Sequence, residues 1–446
     1  MPEVADITET YFADFARLER DPLARKAAWL ETIRKSAMER FAEVGFPTTR
    51  QEDWRFTNVS PLARAPFKAA AAGANGLNRG KLEQARLKGV AARIVFVNGF
   101  FDPKLSDLAA LPPGVSVRAL AETWEAPPKS LEEHLARHAE INRNSFVALN
   151  TALFRDGVFI EVADGVVVGK PIQALFIRAG SAGGTVTHPR TLIIAGREAQ
   201  AMVIESHVGL SGEAYFTNAV TELVVGENGS LEHLKLQEEG DGAYHIGTVQ
   251  SVQGRSSRFV SHSISLGARL ARHDINSVMA GEGAECTLNG LYQVGGAQHV
   301  DHHTRLDHAM PHCSSREYYR GILDGKSSGV FSGAIIVRKD AQKTDAIQSN
   351  KNLLLSEDAT INTKPELQIL ADDVRCTHGA TVGQLDGDAI FYLRARGIGL
   401  EAARHLLTRA FANDVLARVT FAPARERLEG TLRARLSADW KPEEVL

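Results

Sequence analysis

Residues 366–398 read ELQILADDVRCTHGATVGQLDGDAIFYLRARGI. The segment begins with an apolar strand-like run, LQIL at 367–370, which is followed by a polar turn, ADD. A second short strand-like run carries Cys376 and His378, and from Asp386 onward the pattern becomes helical. The segment therefore predicts the end of a β-structure and the start of a helical region.

Cys376 and His378 are two residues apart, so on a strand both side chains leave the same face. A thiolate and an imidazole on one face can bind a soft or borderline metal, or act as a nucleophile and its base. The ordinary alternative is a half-buried cysteine beside a hydrogen-bonded histidine.

The turn in this segment is the last of a series that runs back through the chain. Each turn is a short Gly-, Ser- or Asp-rich string followed by a β-rich run, and the spacing is about 30 residues, with one interval of about 44 and one of about 15. The strings are GREAQAMV at Gly196, GENGSLEH at Gly226, GRSSRFVS at Gly254, GEGAECTL at Gly281, GKSSGVFS at Gly325, SEDATINT at Ser356 and ADDVRCTH at Ala371. A full step near 29 with a half-step near 15 predicts a mainly β protein with a β-helix (solenoid) core. An antiparallel sandwich is the alternative.

Three units follow from this pattern. We expect an N-terminal helical and mixed domain at 1–157, the β-helix core at 158–385 and a C-terminal helical domain at 386–446. Within the first unit, 65–89 is rich in Ala, Gly and Asn and predicts a mobile connector.

Composition limits the function classes. The net charge of −3 does not indicate the basic surface that nucleic-acid binding requires. Three widely separated cysteines indicate a reducing compartment and provide no four-thiolate cluster site. We find neither a signal peptide nor a membrane-spanning run, so a soluble, cytoplasmic protein is expected.

The densest polar run is HVDHHTRLDHAMPHC at 299–313. Histidine and aspartate suit zinc or iron, so His299, His303 and His312 are the weaker candidate metal ligands, and a zinc-dependent hydrolase is one alternative function. The competing interpretation is a ladder of hydrogen-bonded histidines on stacked coils.

Two strings near the C-terminus, ADDVRCTHGATVGQLD and FYLRARGI, resemble the SufB/SufD family of the Suf iron–sulfur cluster assembly system, and the similarity is greater to its SufD branch. EDWRFTNVSPL at 52–62 is similar to the N-terminal signature of that family. The resemblance implies a β-helix that serves as a non-catalytic scaffold. It also implies a transient iron–sulfur cluster at the interface with a SufB-like subunit, with His378 as the first ligand expected and Cys376 as the second.

The resemblance further implies that the terminal helices, at 400–436, hold a SufC-like ABC ATPase. The chain has no GxxxxGK[ST] string, so ATP hydrolysis would be supplied by that partner, and no catalytic residue is expected here. A homodimer is expected where SufB is absent, and a reduced flavin would bind only in the complex. A polysaccharide-active β-helix enzyme is a further alternative, although its usual aromatic sugar platforms are scarce in this sequence.

Overall fold

A computed structural model describes residues 4–73, 77, 79–180, 183–210 and 212–437. The helices are α1 (Val4–Arg20), α2 (Pro22–Lys26), α3 (Glu31–Val44), α4 (Ser60–Ala63), α5 (Arg79–Ala85), α6 (Lys129–His134), α7 (Ser145–Leu153), α8 (Gly387–Arg394), α9 (Leu400–Leu416) and α10 (Ala422–Ser437). None of these described helices combines the length and the apolar character needed to cross a bilayer.

The strands of the N-terminal part and of the first coils are β1 (Lys68–Ala69), β2 (Ala92–Val97), β3 (Phe100–Phe101), β4 (Val115–Ala119), β5 (Gly157–Val162), β6 (Ile172–Arg178), β7 (Thr185–Thr187), β8 (Arg190–Ala195), β9 (Gln200–Gly209), β10 (Tyr215–Val225) and β11 (Ser230–Glu238). The later strands are β12 (Ala243–Gln253), β13 (Arg258–Leu266), β14 (Leu270–Met279), β15 (Glu285–Val294), β16 (His299–His308), β17 (Ser314–Leu323), β18 (Ser328–Val337), β19 (Asp345–Leu354), β20 (Thr360–Ile369) and β21 (Arg375–Gly383).

The strands form two sheets, and from β8 onward successive strands alternate between them. Sheet A has the order β20-β18-β16-β14-β12-β10-β8-β5-β4, and sheet B has the order β21-β19-β17-β15-β13-β11-β9-β6-β2-β3. One strand from each sheet makes a coil, and about eight coils stack into a solenoid. This confirms the predicted mainly β fold with a β-helix core, and the parallel pairing excludes the sandwich.

The register explains the turn series. Leu270 pairs with His299 in sheet A, and Glu285 pairs with Ser314 in sheet B, so each coil adds about 29 residues. Equivalent turns stack on one another, as when the Gly254 amide donates to the Val225 carbonyl at 2.8 Å. The half-step near 15 arises because turns at the opposite corner, such as Gly325, lie between the same two sheets.

Alternate residues point into the solenoid, and the helices cover its outer faces. The N-terminal part packs aromatic side chains, among them Phe41, Trp54 and Phe146, against the outer face of sheet A. The C-terminal helices pack Val415 and Leu428 against the outer face of sheet B. Both sheets are therefore buried on two sides through most of their length.

The segment expected to be a connector at 65–89 forms, in its described residues, β1 and α5, so the prediction of a mobile linker is wrong there. Leu82 and Ala85 of α5 pack against Val95 and Leu175. Burial of this apolar face outweighs the low helix propensity of the Gly- and Asn-containing sequence around it.

The two ends of the solenoid differ. At the start, β3 and β4 pair antiparallel to β2 and β5 and close the sheets. At the other end β20 and β21 are the last strands of their sheets in the part of the chain that the structure describes, and all of their residues are exposed or only half-buried. Strands of the range 92–119 thus belong to the same sheets as the core. The domain boundaries at 157/158 and 385/386 stay predictions, and residues 1–3 and 438–446 lie outside the described part.

Candidate functional site

Cys376 and His378 lie on β21, the last strand of sheet B. They pair in parallel register with Ala346 and Gln348, which are buried inside the solenoid. Paired residues of a parallel sheet point to the same side, so both side chains face the interior. Because β21 belongs to the last coil, the interior is open to solvent at this end. The Cys376 thiol and the His378 imidazole lie at this open end of the solenoid interior, hereafter the mouth.

The electrostatics of the mouth favour a protonated thiol. Partial burial, with the Asp345 carboxylate next, raises the pKa of Cys376 above its ordinary value. The side chain is half-buried, whereas His378 is exposed. A metal bound by Cys376 must therefore displace a proton, which makes the binding pH-dependent.

The mouth is an incomplete metal site. Over the described ranges, no group of three or more His, Cys, Asp or Glu side chains is arranged to hold a metal ion. One thiolate and one imidazole leave a tetrahedral iron or zinc short of two ligands. Any metal held at this end needs further ligands from another molecule.

The interior of the coils next to the mouth is lined by polar side chains. The Gln348 amide donates to Glu317 at 2.6 Å, and Glu317 lies one coil deeper in the same column of sheet B. Nearby, Asn350 and Asn352 hydrogen-bond each other, and Tyr292 donates to Asn352 at 2.5 Å. The interior below the site is therefore polar and internally bonded, unlike the apolar core nearer the start of the solenoid.

His299 and His303 are placed elsewhere, on the outer face of sheet A. His299 hydrogen-bonds Thr57 at 2.9 Å and Ser328 at 2.7 Å, and the His303 imidazole lies 3.1 Å from the Asp301 carboxylate. The Glu52–Thr57 segment, hereafter the strap, covers this face. His299 contacts the strap directly, whereas His303 is linked to it through Asp301, whose carboxylate accepts from Thr57. The structure does not bring either histidine to Cys376 or His378.

Other members of the histidine-rich run are separated from these. His312 is in the turn between β16 and β17 with a φ of 60°, and the Cys313 thiol donates to the Gly281 carbonyl at 3.4 Å. Burial raises the pKa of the Cys286 thiol to about 12, which keeps that thiol protonated inside the core. Neither the described histidines of this run nor its cysteine form the metal cluster that a zinc-dependent hydrolase requires.

His302 points inward and is part of a histidine ladder. Its ring stacks on His273 at 4.9 Å, and His273 lies 5.0 Å from His245, which lies 5.0 Å from His207. The expected ladder of histidines on stacked coils is thus found at His302, although ring contacts and not the expected hydrogen bonds relate its imidazoles. The other three members come from different strands and were missed, although aligning the strands by the 29-residue step would have superposed His273 and His302.

The C-terminal helices are fixed to sheet B by polar contacts as well as by apolar ones. Arg320 pairs with Asp414 of α9 at 2.5 Å, and the Arg418 guanidinium lies 3.9 Å from the Tyr318 ring centroid. Leu400 and Leu406 of α9 remain exposed. The C-terminal helices therefore pack one face against the solenoid and expose another face to solvent.

Comparison with known proteins gives two family matches. Residues 176–411 match the family described as "SUF system FeS cluster assembly, SufBD core domain", and residues 5–174 match the "SufBD protein N-terminal region". An iron–sulfur cluster assembly SufBD family protein of Synechocystis is 34% identical over 90% of both chains. The iron–sulfur cluster assembly protein SufD of Escherichia coli is 32% identical over 85% of this chain and 86% of its own length. SufB of Bacillus subtilis is 28% identical over 63% of this chain and 60% of its own length.

Proposed function

The chain belongs to the SufBD family of iron–sulfur cluster assembly proteins, most like SufD, and on that premise we propose that it is a non-catalytic scaffold on which nascent clusters are held before transfer. The observation that carries the proposal is the open last coil, which offers one thiol and one imidazole and lacks the remaining ligands. A site of this kind is suited to a cluster that is shared between two chains and later released.

The missing ligands come from a SufB-like subunit that covers the open end. β20 and β21 are the edge strands of their sheets among the described residues, and such edges are templates for a further strand. Apolar side chains stand exposed at the same end, among them Ile369, Leu370 and Val382. Where no SufB-like chain is available, a second copy of this chain covers the end and forms a homodimer.

His378 is the first ligand and Cys376 the second in this proposal. The exposed imidazole needs no conformational change to reach a metal, whereas the half-buried thiol must first lose its proton. His299, His303 and His312 are not ligands in this scheme, because their hydrogen bonds and positions commit them to other parts of the fold.

Energy for assembly is supplied by a partner. A SufC-like ABC ATPase docks on the solvent-facing side of 400–436, where α9 leaves Leu400 and Leu406 uncovered. Movement of these helices is then transmitted to the coils through contacts such as Arg320–Asp414. A reduced flavin binds only to the complete complex. The protein acts in the reducing cytoplasm, and its three free thiols are compatible with that compartment.

The test is co-expression with the SufB-like and SufC-like subunits from the same genome, followed by anaerobic reconstitution and absorption spectroscopy. We expect the wild-type and His303→Ala complexes to hold equal amounts of cluster, His378→Ala to hold almost none, and Cys376→Ser to hold an intermediate amount. Full cluster content in the His378→Ala complex, or its loss in the His303→Ala complex, would contradict the ligand assignment. Failure of the subunits to co-purify would contradict the scaffold role.

A further inference from the structure

Gln348 occupies an unusual position directly below the proposed site. It pairs with His378 across adjacent parallel strands, and the shared register places both side chains on the inner face. The Gln348 side chain is buried, with 2% of its surface exposed. Its Oε1 atom is buried and has no hydrogen-bond partner among the described residues.

The other end of the same amide is fixed. Gln348 Nε2 donates to Glu317 Oε2 at 2.6 Å, so the amide nitrogen points inward along the column. Gly333 on the facing sheet leaves the space that this amide fills, since an added Cβ there would lie 2.2 Å from Gln348 Nε2. Held in this way, the carbonyl oxygen is the end of the amide that remains available.

We infer that Gln348 is a positioning residue for the His378 ligand: its Oε1 accepts the N–H of the imidazole nitrogen that does not bind the metal. This inference rests on the proposed function, because it takes His378 as a ligand of the cluster iron. Gln348 itself touches neither the cluster nor the partner chain.

The physical reason is general to metal-binding histidines. A ligating imidazole is neutral, so only one of its nitrogens carries a proton, and an acceptor for that proton fixes the tautomer and the ring orientation. Losing such an outer-sphere acceptor typically costs about 10- to 100-fold in metal affinity. The hydrogen bond from the imidazole also gives the buried Gln348 Oε1 a partner, which it otherwise lacks among the described residues.

Glu317 sets which end of Gln348 faces the mouth. Glu317 Oε2 accepts from the Gln348 amide nitrogen, and this contact directs Gln348 Oε1 toward β21. The groups facing Glu317 are Gln348, Thr304, Tyr319 and Cys286, and burial raises the pKa of its carboxyl to about 7. The orientation of Gln348 is therefore coupled to a buried acid two coils from the open end.

The test uses Gln348→Met, which keeps the volume of the side chain and removes the acceptor. Gln253→Met is the matched control, since Gln253 is an equally buried interior glutamine whose amide is partnered by Ser277 and Glu285. The rate of cluster loss from the reconstituted complex is measured for each. We expect Gln348→Met to lose cluster at least about tenfold faster than wild type, and Gln253→Met to stay close to wild type.

A second readout needs no metal. Nitrogen-15 spectra of the full-length chain labelled at histidine, with His378→Ala used to assign the resonance, report the tautomer of His378. We expect a single tautomer in wild type and Gln253→Met and a mixture in Gln348→Met. If Gln348→Met retains cluster like wild type while His378→Ala loses it, or if wild-type His378 is a tautomer mixture, the positioning role is overturned and the scaffold function stands. If His378→Ala retains cluster, the ligand assignment fails and this inference fails with it.

Discussion

Burial raises the pKa of the Glu317 carboxyl to about 7, whereas a glutamate in an unfolded chain has its ordinary value of 4.5. Between these two values the folded state binds a proton that the unfolded state has lost, so stability falls as pH rises through this range. The loss is about 3 kcal/mol in total. Glu317→Gln removes the titration, and we expect it to be more stable than wild type at pH 8 by up to this amount and little different near pH 4.5.

Urea denaturation at the two pH values checks this expectation for Glu317→Gln. An equal difference between variant and wild type at both would show that packing, and not ionisation, determines the effect. At pH 8 the wild-type group is a carboxylate and only accepts, whereas an amide at position 317 can also donate to Gln348 Oε1, so the variant should show a mixture of His378 tautomers at that pH.

His302 titrates in the opposite sense. Burial lowers the pKa of its imidazole from 6.5 to about 3. Below pH 6.5 His302 is therefore protonated in the unfolded chain, whereas in the folded state it stays neutral until about pH 3. Stability is therefore lost as pH falls, by about 1.4 kcal/mol per pH unit. His302→Phe preserves the ring that stacks on His273 and Tyr292 and removes the titration.

We expect the His302→Phe chain to lose about 2 kcal/mol less stability than wild type between pH 7.5 and pH 5. Urea denaturation at both pH values measures the difference. A wild-type pH dependence in the variant would mean that His302 is not the group responsible.

At the scale of elements, the repeat of turns predicted the strands of the core well, because each coil repeats the same sequence of strand and corner. The sequence of the strap indicated a family resemblance but not how the segment packs. Trp54 is buried, whereas Phe56 is 43% exposed. The position of Trp54 depends on a residue outside the strap. Arg272 of β14 stacks its guanidinium 3.7 Å from the Trp54 ring centroid. The helix α5 was missed for a related reason, as its stability comes from packing on a distant sheet.

Arg272 also neutralises two buried carboxylates, and a prediction follows for the strap. Its guanidinium hydrogen-bonds Asp301 and Asp274 at 2.8 Å and the Asp53 carbonyl at 2.6 Å. Arg272→Met leaves the carboxylates without a counter-charge, which typically costs about 3–5 kcal/mol. We expect that loss in chemical denaturation, together with faster amide hydrogen exchange at 52–57.

Arg305→Met is the control for the strap, because Arg305 is on the same outer face and only partly buried. Its effect should stay within about 0.5 kcal/mol, as for most surface substitutions. Equal losses in the two variants would argue against a specific role of Arg272.

For the whole molecule, the sequence predicted that Cys376 and His378 share a face of a strand, which the structure confirms, whereas their role as ligands stays a prediction. Cys376 and His378 could be placed on one face from their spacing alone, and the family resemblance assigned them a role. Neither could show that this face points into the solenoid at its open end, or that Gln348 lies below His378. Both facts depend on pairing between strands about 30 residues apart, and hence on the register of the complete stack.

The asymmetry of the two ends leads to a last prediction about assembly. Leu370 is 58% exposed beside the open edge, and Val167 is 60% exposed in the first coil, beside the closed end. Burying an uncompensated charge at an interface is costly, whereas a charge at a solvent-facing position is not. We therefore expect Leu370→Glu to weaken binding of the SufB-like subunit, or self-association, by tenfold or more, while Val167→Glu leaves it unchanged. Sedimentation velocity on titrated mixtures measures both, and thermal melts of the isolated chains should agree with wild type. If Val167→Glu weakens association as much as Leu370→Glu, or if Leu370→Glu binds like wild type, the open end is not the surface on which the second chain is seated.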